Sequence, residues 1–565
     1  MAKFAELSAA HVRLNLDDEF QARLDSRERA ALIGLSRNPD LVLELALDLR
    51  APLPVDALRA DPYVCAEVQQ GFRVSDPYDA VKMRDIAAAV FGVRKTTSSR
   101  ADFCTWNLFQ LPHNTQKLYM AESEAVEALQ RWGEQPGATV AHPARGGAWT
   151  APQLHGLQRA INELWDNASP LCRKVAEDAM DVDDGLDAVQ SAAVATILSC
   201  PATVLTGIGG AGKTFCVSAA VRAVLSATSL PVAVLAPTHK AKYNLLDGLR
   251  QDLPLHGDRV TIATMQSHTQ TLRKVKGRAP PAFVFIDEAS MLDVESFGEF
   301  AKSVVSKCSA WQLCLVGDEC QLPPVGRGEC FRSATRQLRK SPQLMKLVKC
   351  YRAEFRPMFD FHVAVRDGSL PAGDGDVAAV ITLPDDPAVV ARVKRIIADE
   401  GAGTVYIAWQ NDHVDMINRL VQQQATGTPK AGTRYNVGDR VVYCGENAPG
   451  GGLTNAMCGA VARTDSRVLS VTWDTGAAIP VATRDVRLAY CLTVHKAQGS
   501  GFDSVCVVCL AGSAMLRLID RRWLYTAVSR ARKRVRVVCT KEVAELARRP
   551  VAPVTLSSLR FAGSA

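Results

Sequence analysis

Short apolar runs alternate with helical patterns in two stretches of the chain. In the first stretch the apolar runs cover residues 202–206, 231–236, 282–287 and 311–317. In the second stretch they cover residues 404–409, 504–510 and 535–539. Apolar strands that alternate with helices are typical of parallel sheets covered on both faces, which bind ligands at the carboxyl ends of their strands. The pattern therefore predicts an α/β fold with two parallel sheets.

Two other regions have different patterns. Residues 431–490 interrupt the second stretch and contain short alternating runs, such as Arg440–Tyr443, which predict a small β-barrel. Residues 1–133 read as helical, because Asp61-Pro62 and Asp76-Pro77 both match a helix start with Asp as the N-cap and Pro at the first helical position. A helical hairpin there would bind either a DNA phosphate or a protein partner, and the residues leave the two interpretations open.

The first apolar run leads into a glycine-rich loop. Gly207-x-x-x-x-Gly212-Lys213-Thr214 has the spacing of a P-loop, and a helical pattern follows it. Glycines allow successive backbone N–H groups to turn towards phosphates, and the N-terminus of the next helix adds partial positive charge. Lys213 is predicted to reach the β- and γ-phosphates, and Thr214 to bind Mg²⁺. The predicted phosphate-binding residues are Gly207, Gly209, Gly210, Ala211, Gly212, Lys213 and Thr214.

Two later runs add groups suited to ATP hydrolysis. Asp287 and Glu288 end an apolar strand, where an ATPase needs one carboxylate for Mg²⁺ and another to accept a proton from the attacking water. We therefore assign Asp287 to the metal and Glu288 to the base. Gln321 follows the next strand, where its amide is placed to hydrogen-bond the γ-phosphate.

Composition narrows the class of protein further. The chain has 565 residues, 47% of them hydrophobic and 22% charged, and a net charge of +7. These values favour a soluble protein of several domains, and neither a membrane span nor a signal peptide is predicted. The 16 cysteines are expected to be reduced in an intracellular protein. Cys506-x-x-Cys509 has metal-like spacing, but it has no second pair and lies in an apolar run, so a zinc site is not predicted.

The ordered set of motifs resembles that of superfamily 1B helicases of the RecD-like kind, a group that includes RecD, TraA and Dda. Beyond the P-loop, the Asp-Glu strand and the Gln321 run, the match rests on further segments in family order. They are Ala236–Lys242 (motif Ia), Thr261–His268, Leu347–Arg352 (motif IV), Thr493–Ser500 (motif V) and Leu524–Ala531 (motif VI).

The resemblance implies roles for individual residues. Gln190 would recognise adenine, Gly499 would lie at the nucleotide, and Arg352 and Arg530 would be arginine fingers that reach the γ-phosphate. Structural roles remain an alternative for each histidine below. The residues implied to contact nucleic acid are Pro237, Thr238, His239, Lys240, His268, Thr493 and His495.

Two departures from the family pattern affect these expectations. Gly501 follows Ser500, where the family usually has glutamate, so a motif V carboxylate is missing. The segment between His268 and the Asp-Glu strand is short, so the β-hairpin that splits the duplex in the family is expected to be short as well, near residues 269–281.

The resemblance implies two RecA-like P-loop lobes with a helical N-terminal domain and an SH3-like barrel insertion. The predicted parts are 1–133 (helical domain), 134–184 (linker and helix), 185–345 (first lobe), 346–430 with 491–545 (second lobe), 431–490 (barrel) and 546–565 (tail).

The implied function is an ATP- and Mg²⁺-dependent 5′→3′ DNA helicase in replication, recombination or repair. Its expected partners are single-stranded DNA, single-strand/duplex junctions and a replication or repair protein bound by the N-terminal domain. It is expected in the cytoplasm, or in the nucleus of a eukaryotic source or host. The alternatives are an ATPase subunit or loader without autonomous unwinding and a viral-type RNA helicase.

Overall fold

The structure is a computed structural model. It describes few of the first 150 residues and most of the residues that follow. In that described part, no helix is both long enough and apolar enough to cross a bilayer. The described residues are 120–121, 142–144, 148–150, 152–172, 175, 185–249, 257–349, 356–371, 375–384, 386, 388–400, 403–430, 432–445, 453, 455, 457–465, 467–474, 476–510, 520–546, 548–549, 551, 559 and 561.

The secondary structure is mixed throughout. The helices are α1 (Pro152–Asp166), α2 (Ala188–Ser199), α3 (Lys213–Ala227), α4 (His239–Gly248), α5 (Met265–Lys274), α6 (Val294–Lys307), α7 (Cys330–Gln337), α8 (Arg356–Asp367), α9 (Val389–Asp399), α10 (Asn411–Ala425), α11 (Val494–Ala497), α12 (Arg521–Val528) and α13 (Lys541–Leu546).

The strands that precede the second stretch are β1 (Met120–Ala121), β2 (His142–Ala144), β3 (Ala148–Thr150), β4 (Ala202–Gly207), β5 (Val232–Ala236), β6 (Val260–Thr264), β7 (Ala282–Ile286), β8 (Trp311–Gly317) and β9 (Leu344–Leu347). The later strands are β10 (Ala378–Leu383), β11 (Thr404–Ala408), β12 (Arg440–Tyr443), β13 (Cys458–Thr464), β14 (Val468–Trp473), β15 (Ala478–Ala482), β16 (Val486–Leu488), β17 (Cys491–Thr493), β18 (Phe502–Cys509) and β19 (Ala531–Thr540).

The chain divides into two compact units. One comprises residues 1–159, 326–328 and 555–559, and its described part contains a three-stranded antiparallel sheet in the order β1-β3-β2. Strand β1 lies in the region predicted to be helical, so that prediction is wrong at Met120–Ala121. The two predicted helix starts, Asp61-Pro62 and Asp76-Pro77, lie outside the described residues.

The second unit contains the two predicted parallel sheets. Lobe 1, which we define by its sheet, has six parallel strands in the order β6-β5-β7-β8-β4-β9. Strands β4 and β8 are buried along their whole length, as expected for a sheet with helices on both faces. Because β9 pairs with β4, lobe 1 extends to Leu347, two residues beyond the predicted boundary at 345.

Lobe 2 has five parallel strands in the order β10-β19-β18-β11-β17. Cys506 and Cys509 lie on β18 and pack into different core clusters, on opposite sides of this sheet. The two thiols therefore point apart, as the period of a strand requires. Among the described residues, no group of three or more His, Cys, Asp or Glu is placed to hold a metal.

The insertion between β11 and β17 is a five-stranded antiparallel sheet in the order β15-β14-β13-β12-β16. Its core contains Val441 of β12 and both Val471 and Trp473 of β14. The predicted β-strand character of residues 431–490 is therefore present, and closure into an SH3-like barrel stays a prediction.

The predicted β-hairpin near 269–281 is wrong. Residues Met265–Lys274 form helix α5, and the Thr264 side chain caps it by accepting a hydrogen bond from Ser267 N at 3.2 Å. Met265, Thr269 and Leu272 are buried and follow helical spacing, so this segment packs as a helix against lobe 1.

Candidate ATP site and nucleic-acid interface

The P-loop connects β4 to α3. Gly210 and Gly212 have φ values of 86° and 79°, which glycine adopts without the cost paid by other residues. Gly207 has a different constraint, because a Cβ there would lie 2.6 Å from Leu347 O on β9. Lys213 Nζ donates hydrogen bonds to Gly207 O at 2.7 Å and Ile208 O at 3.2 Å, so its charge lies across the loop. Ala211 is buried, whereas Thr214 is exposed at the start of α3.

The carboxyl end of β7 holds the two predicted carboxylates. Burial and the neighbouring Glu288 raise the pKa of the Asp287 carboxyl, whereas the Glu288 N–H and the Lys213 charge oppose this shift. The Glu288 N–H donates to Asp287 Oδ1 at 2.8 Å. Among the described residues, Glu288 is the only one other than glycine that has a positive φ, 52°. Such a conformation is uncommon outside glycine and typical of functional sites.

The segment after β8 joins lobe 1 to lobe 2. Asp318 accepts a hydrogen bond from the Tyr525 hydroxyl at 2.5 Å, and Leu322 N donates to Thr526 Oγ1 at 2.8 Å. Burial and the Asp318 charge raise the pKa of Tyr525 well above its usual value, so the phenol stays protonated. Sequence reasoning assigned no role to Asp318 or Tyr525, because only the fold brings them together.

Gln321 lies in the same segment and is buried. Its Oε1 has no hydrogen-bond partner among the described residues. Burying an amide oxygen without a hydrogen-bond donor costs free energy. A ligand or water that donates to this oxygen would remove that cost. This oxygen is an acceptor, so the predicted hydrogen bond to the γ-phosphate would have to come from the Gln321 amide N–H groups and stays a prediction.

Of the two predicted arginine fingers, only Arg530 lies within the described residues; Arg352 lies outside them. The Arg530 guanidinium is buried and donates to Thr526 O at 2.9 Å, Ser529 Oγ at 2.9 Å and Ser500 O at 3.3 Å. Burial and this guanidinium lower the pKa of His362 to about 4, so the imidazole is neutral at pH 7.

The motif VI segment also lies close to the P-loop. A Cβ placed on Gly209 would lie 4.0 Å from Ser529 O, the carbonyl that precedes Arg530. Ile208 of the P-loop is buried in the same core cluster as Leu524 of α12. The two lobes therefore meet where ATP phosphates would lie.

Gln190 has a local partner that the sequence reasoning missed. Asp187 caps α2 by accepting from Gln190 N at 3.0 Å, and Gln190 Oε1 accepts from Asp187 N at 3.2 Å. This is a capping box, readable in advance from the spacing of Asp and Gln. Because the amide oxygen is used here, recognition of adenine would depend on the Gln190 amide N–H groups.

Motif Ia of lobe 1 lies beside motif V and the start of β18 in lobe 2. Lys240 Nζ lies 5.6 Å from the centre of the Phe502 ring, and a Cβ on Gly499 would lie 3.7 Å from Ala241 Cβ. Gly499 is thus placed beside motif Ia, and its assignment to the nucleotide stays a prediction. The hydroxyl of Thr238, which follows Pro237, accepts from Ala241 N at 3.2 Å and caps the start of α4.

The remaining predicted DNA contacts differ in environment. Thr493 caps α11 by accepting from Lys496 N at 3.4 Å, and His495, two residues later, is exposed. His268 packs against Phe300, with ring centres 6.4 Å apart, which favours a structural role. Burial lowers the pKa of both His239 and His268 and so favours the neutral form of these imidazoles.

The glycine that departs from the motif V pattern is covered by an arginine. A Cβ on Gly501 would lie 2.6 Å from Arg532 Nε, so Arg532 occupies the space that a longer side chain would need. The space that the family's glutamate side chain would need is therefore filled by the basic side chain of Arg532.

Fold and site together define a two-lobed P-loop ATPase. An AAA domain family model matches residues 185–379, and a UvrD-like helicase C-terminal domain model matches residues 488–538. The RecD subunit of the RecBCD enzyme from Mycolicibacterium smegmatis is 28% identical over 409 residues, which cover 62% of this chain and 70% of that protein. The ATP-dependent RecD2 DNA helicase of Deinococcus radiodurans is 28% identical over 377 residues, with 62% and 48% covered. The motifs and these relatives support an ATP-dependent helicase of the RecD-like kind.

Solved structures of Pif1 helicases are also similar to the chain. Bacteroides Pif1 bound to single-stranded DNA has a TM-score of 0.42 and 18% identity, and covers 65% of this chain and 94% of its own. Candida albicans Pif1 has a TM-score of 0.41 and 18% identity, with 64% and 95% covered.

Proposed function

We propose that the chain is an ATP-dependent 5′→3′ translocase on single-stranded DNA that unwinds duplexes from single-strand/duplex junctions in DNA replication, recombination or repair. The observation that carries this proposal is the pair of hydrogen bonds between lobe 2 and the Gln321 segment: the Tyr525 hydroxyl donates to Asp318, and Leu322 N donates to the Thr526 hydroxyl. A change at Gln321 on contact with the γ-phosphate would be transmitted through these hydrogen bonds to the motif VI helix, α12. The RecD-like relatives, one of them named as a DNA helicase, support DNA as the track.

The nucleotide would lie between two RecA-like lobes. Lys213 would bind the phosphates, Glu288 would accept a proton from water, and Arg530 would stabilise the charge that develops on the γ-phosphate. Thr214 and Asp287 offer oxygen donors of the kind that Mg²⁺ prefers, and nucleotide phosphates and waters usually complete such a site. Bound Mg²⁺ would neutralise charge on the transferring phosphoryl group.

The DNA strand would run past motif Ia and motif V. Because Lys240 of lobe 1 lies beside Phe502 of lobe 2, and Gly499 of lobe 2 beside Ala241 of lobe 1, a strand at this junction would contact both lobes. Contacts to the phosphate backbone suit a motor that must release and rebind any sequence at each cycle. Movement of the lobes during ATP turnover would then advance the strand.

We expect Lys240→Ala to weaken single-stranded DNA binding and to lower the salt slope of binding by about one phosphate contact. DNA-stimulated ATPase should fall more than basal ATPase. Lys302→Ala, an exposed lysine on α6 paired with Glu299, is the matched control. Full DNA affinity and full stimulation in Lys240→Ala would show that Lys240 serves only the contact with Phe502.

Strand displacement with matched tailed substrates tests the function itself. We expect ATP-dependent displacement from a 5′-tailed DNA duplex, little from a 3′-tailed duplex and none with Lys213→Ala. Displacement from only the 3′-tailed substrate would reverse the proposed polarity. Preference for an RNA track over DNA would instead identify an RNA helicase.

One observation favours a second function. Helix α5 occupies the segment where the family's strand-splitting hairpin was expected. An ATPase that loads or assists another helicase would need the motor and not that hairpin. DNA-stimulated ATPase without displacement of either tailed substrate is the result that this second function predicts.

A further inference from the structure

A cavity of about 380 Å³ in the second unit is lined by arginines from both lobes. Glu319, Cys320 and Tyr525 complete the part of its wall that lies next to the Asp318–Tyr525 hydrogen bond. This wall joins the segment after β8 to α12, and the cavity is separate from the P-loop residues. The arginines are Arg332, Arg336, Arg339, Arg366, Arg521 and Arg522.

Carboxylates neutralise only part of this charge. Glu329 pairs with Arg332 at 3.3 Å and with Arg522 at 2.8 Å, and the remaining pairs are Arg522–Asp520 at 2.7 Å and Arg366–Asp367 at 2.8 Å. Glu319 is the fourth carboxylate, and it pairs with Lys346 at 3.5 Å. Six arginines and Lys346 against Glu319, Glu329, Asp367, Asp520 and the adjoining Asp318 leave an excess of two positive charges.

Three of the arginines have no ion pair in the part of the chain that the structure describes. They are Arg336, Arg339 and Arg521, and the first two are exposed on or just beyond α7. Like charges that face one cavity repel one another, and an anion between them relieves this repulsion beyond what solvent screening achieves. The excess therefore favours a bound anion rather than an empty pocket.

The chemistry of the lining indicates which anion. All six basic residues that line the cavity are arginines, whose planar guanidinium groups make paired hydrogen bonds to phosphate oxygens. A phosphate group carries more charge in a small volume than a carboxylate, and it offers oxygens in several directions. A small cavity with arginines on several sides suits such a group better than a folded acidic segment.

We propose that this cavity binds a phosphate-bearing ligand that contacts both lobes at once. The phosphate comes either from a nucleic-acid strand that leaves the motor or from a free polyphosphate in solution. In either case the ligand stabilises the arrangement in which α7 of lobe 1 faces α12 of lobe 2. The proposal concerns binding and does not depend on the direction or occurrence of unwinding.

Calorimetric titration of inorganic tripolyphosphate tests the site, with the P-loop first saturated with ADP. We expect one site in the wild-type protein and weaker binding in Arg336→Gln/Arg339→Gln, by about tenfold for each removed arginine. The matched control is Arg395→Gln/Arg467→Gln, which removes two exposed arginines elsewhere in the same unit. Thermal unfolding checks that each variant is folded. Tripolyphosphate should raise the melting temperature of the wild-type protein more than that of Arg336→Gln/Arg339→Gln, the cavity variant.

Competition distinguishes the source of the phosphate. Displacement of tripolyphosphate by a thymidine oligonucleotide, lost in the cavity variant, supports a nucleic-acid strand; binding without displacement supports a free polyphosphate. If tripolyphosphate affinity falls equally in the cavity and control variants, its binding is nonspecific electrostatic attraction, and the proposal is overturned. Absence of tripolyphosphate binding, with or without binding of a poly-glutamate peptide, would overturn it as well.

Discussion

ATP hydrolysis by Glu288→Gln is expected to fall by about 10²–10⁴-fold, the usual contribution of a general base. The amide keeps the size of the side chain but does not accept the proton of the attacking water. Glu288 also has a φ of 52°, a conformation that is retained only where surrounding contacts impose it. The surroundings therefore hold the backbone of Glu288 in this conformation.

Single-turnover hydrolysis and a separate measurement of nucleotide affinity check this expectation. Affinity should change little, because the lost interaction exists only in the transition state. Glu545→Gln on α13 is the control, since Glu545 is exposed on lobe 2. A Glu288→Gln protein that turns over ATP at the wild-type rate would move the base to another residue.

The strands of both lobes could be predicted because each is an apolar run that is buried on two faces. Strands β4 and β8 match their predicted runs closely, and β18 is longer than its run by two residues at the start. The P-loop followed from spacing alone, since its glycines have conformations that other residues avoid. Local chemistry was sufficient for these elements.

The failure at α5 has a different cause. The segment contains an N-cap, Thr264, and apolar residues at helical spacing, so its own sequence indicates a helix. The hairpin was expected from the family's motif order and not from these residues. Local patterns were the better guide here.

Contacts between distant segments could not be predicted individually. The Tyr525–Asp318 hydrogen bond joins residues that are 207 positions apart, and nothing in either motif identifies the other as its partner. The arginines around the 380 Å³ cavity belong to three helices and their neighbouring turns, and only the meeting of the lobes collects them. Motifs predicted the residue types of the site, whereas the fold determined which of them touch.

Arg530→Ala is expected to lower ATP turnover by about 10³–10⁵-fold, the range found for arginine fingers. In the structure the guanidinium is held by Thr526 O, Ser500 O and Ser529 Oγ, and Ser529 O lies beside the P-loop glycine Gly209. A change of side-chain rotamer from this position would direct the charge towards the phosphates. On the proposed role, Arg530 would therefore lie near its site of action in this structure and not at it.

The same hydrogen bonds mean that Arg530 also has a structural contribution, which the experiment must separate from catalysis. Arg530→Lys keeps a charge but loses the paired geometry, so it should fold and recover only part of the turnover. Thermal unfolding and ADP affinity are measured for both variants, with the exposed Arg395→Ala on α9 as control. One outcome would contradict the arginine-finger role: Arg530→Ala loses stability and ADP affinity, but the protein that remains folded hydrolyses ATP within a few-fold of the wild-type rate. Arg530 would then have a structural role in lobe 2, and another group would stabilise the transition state.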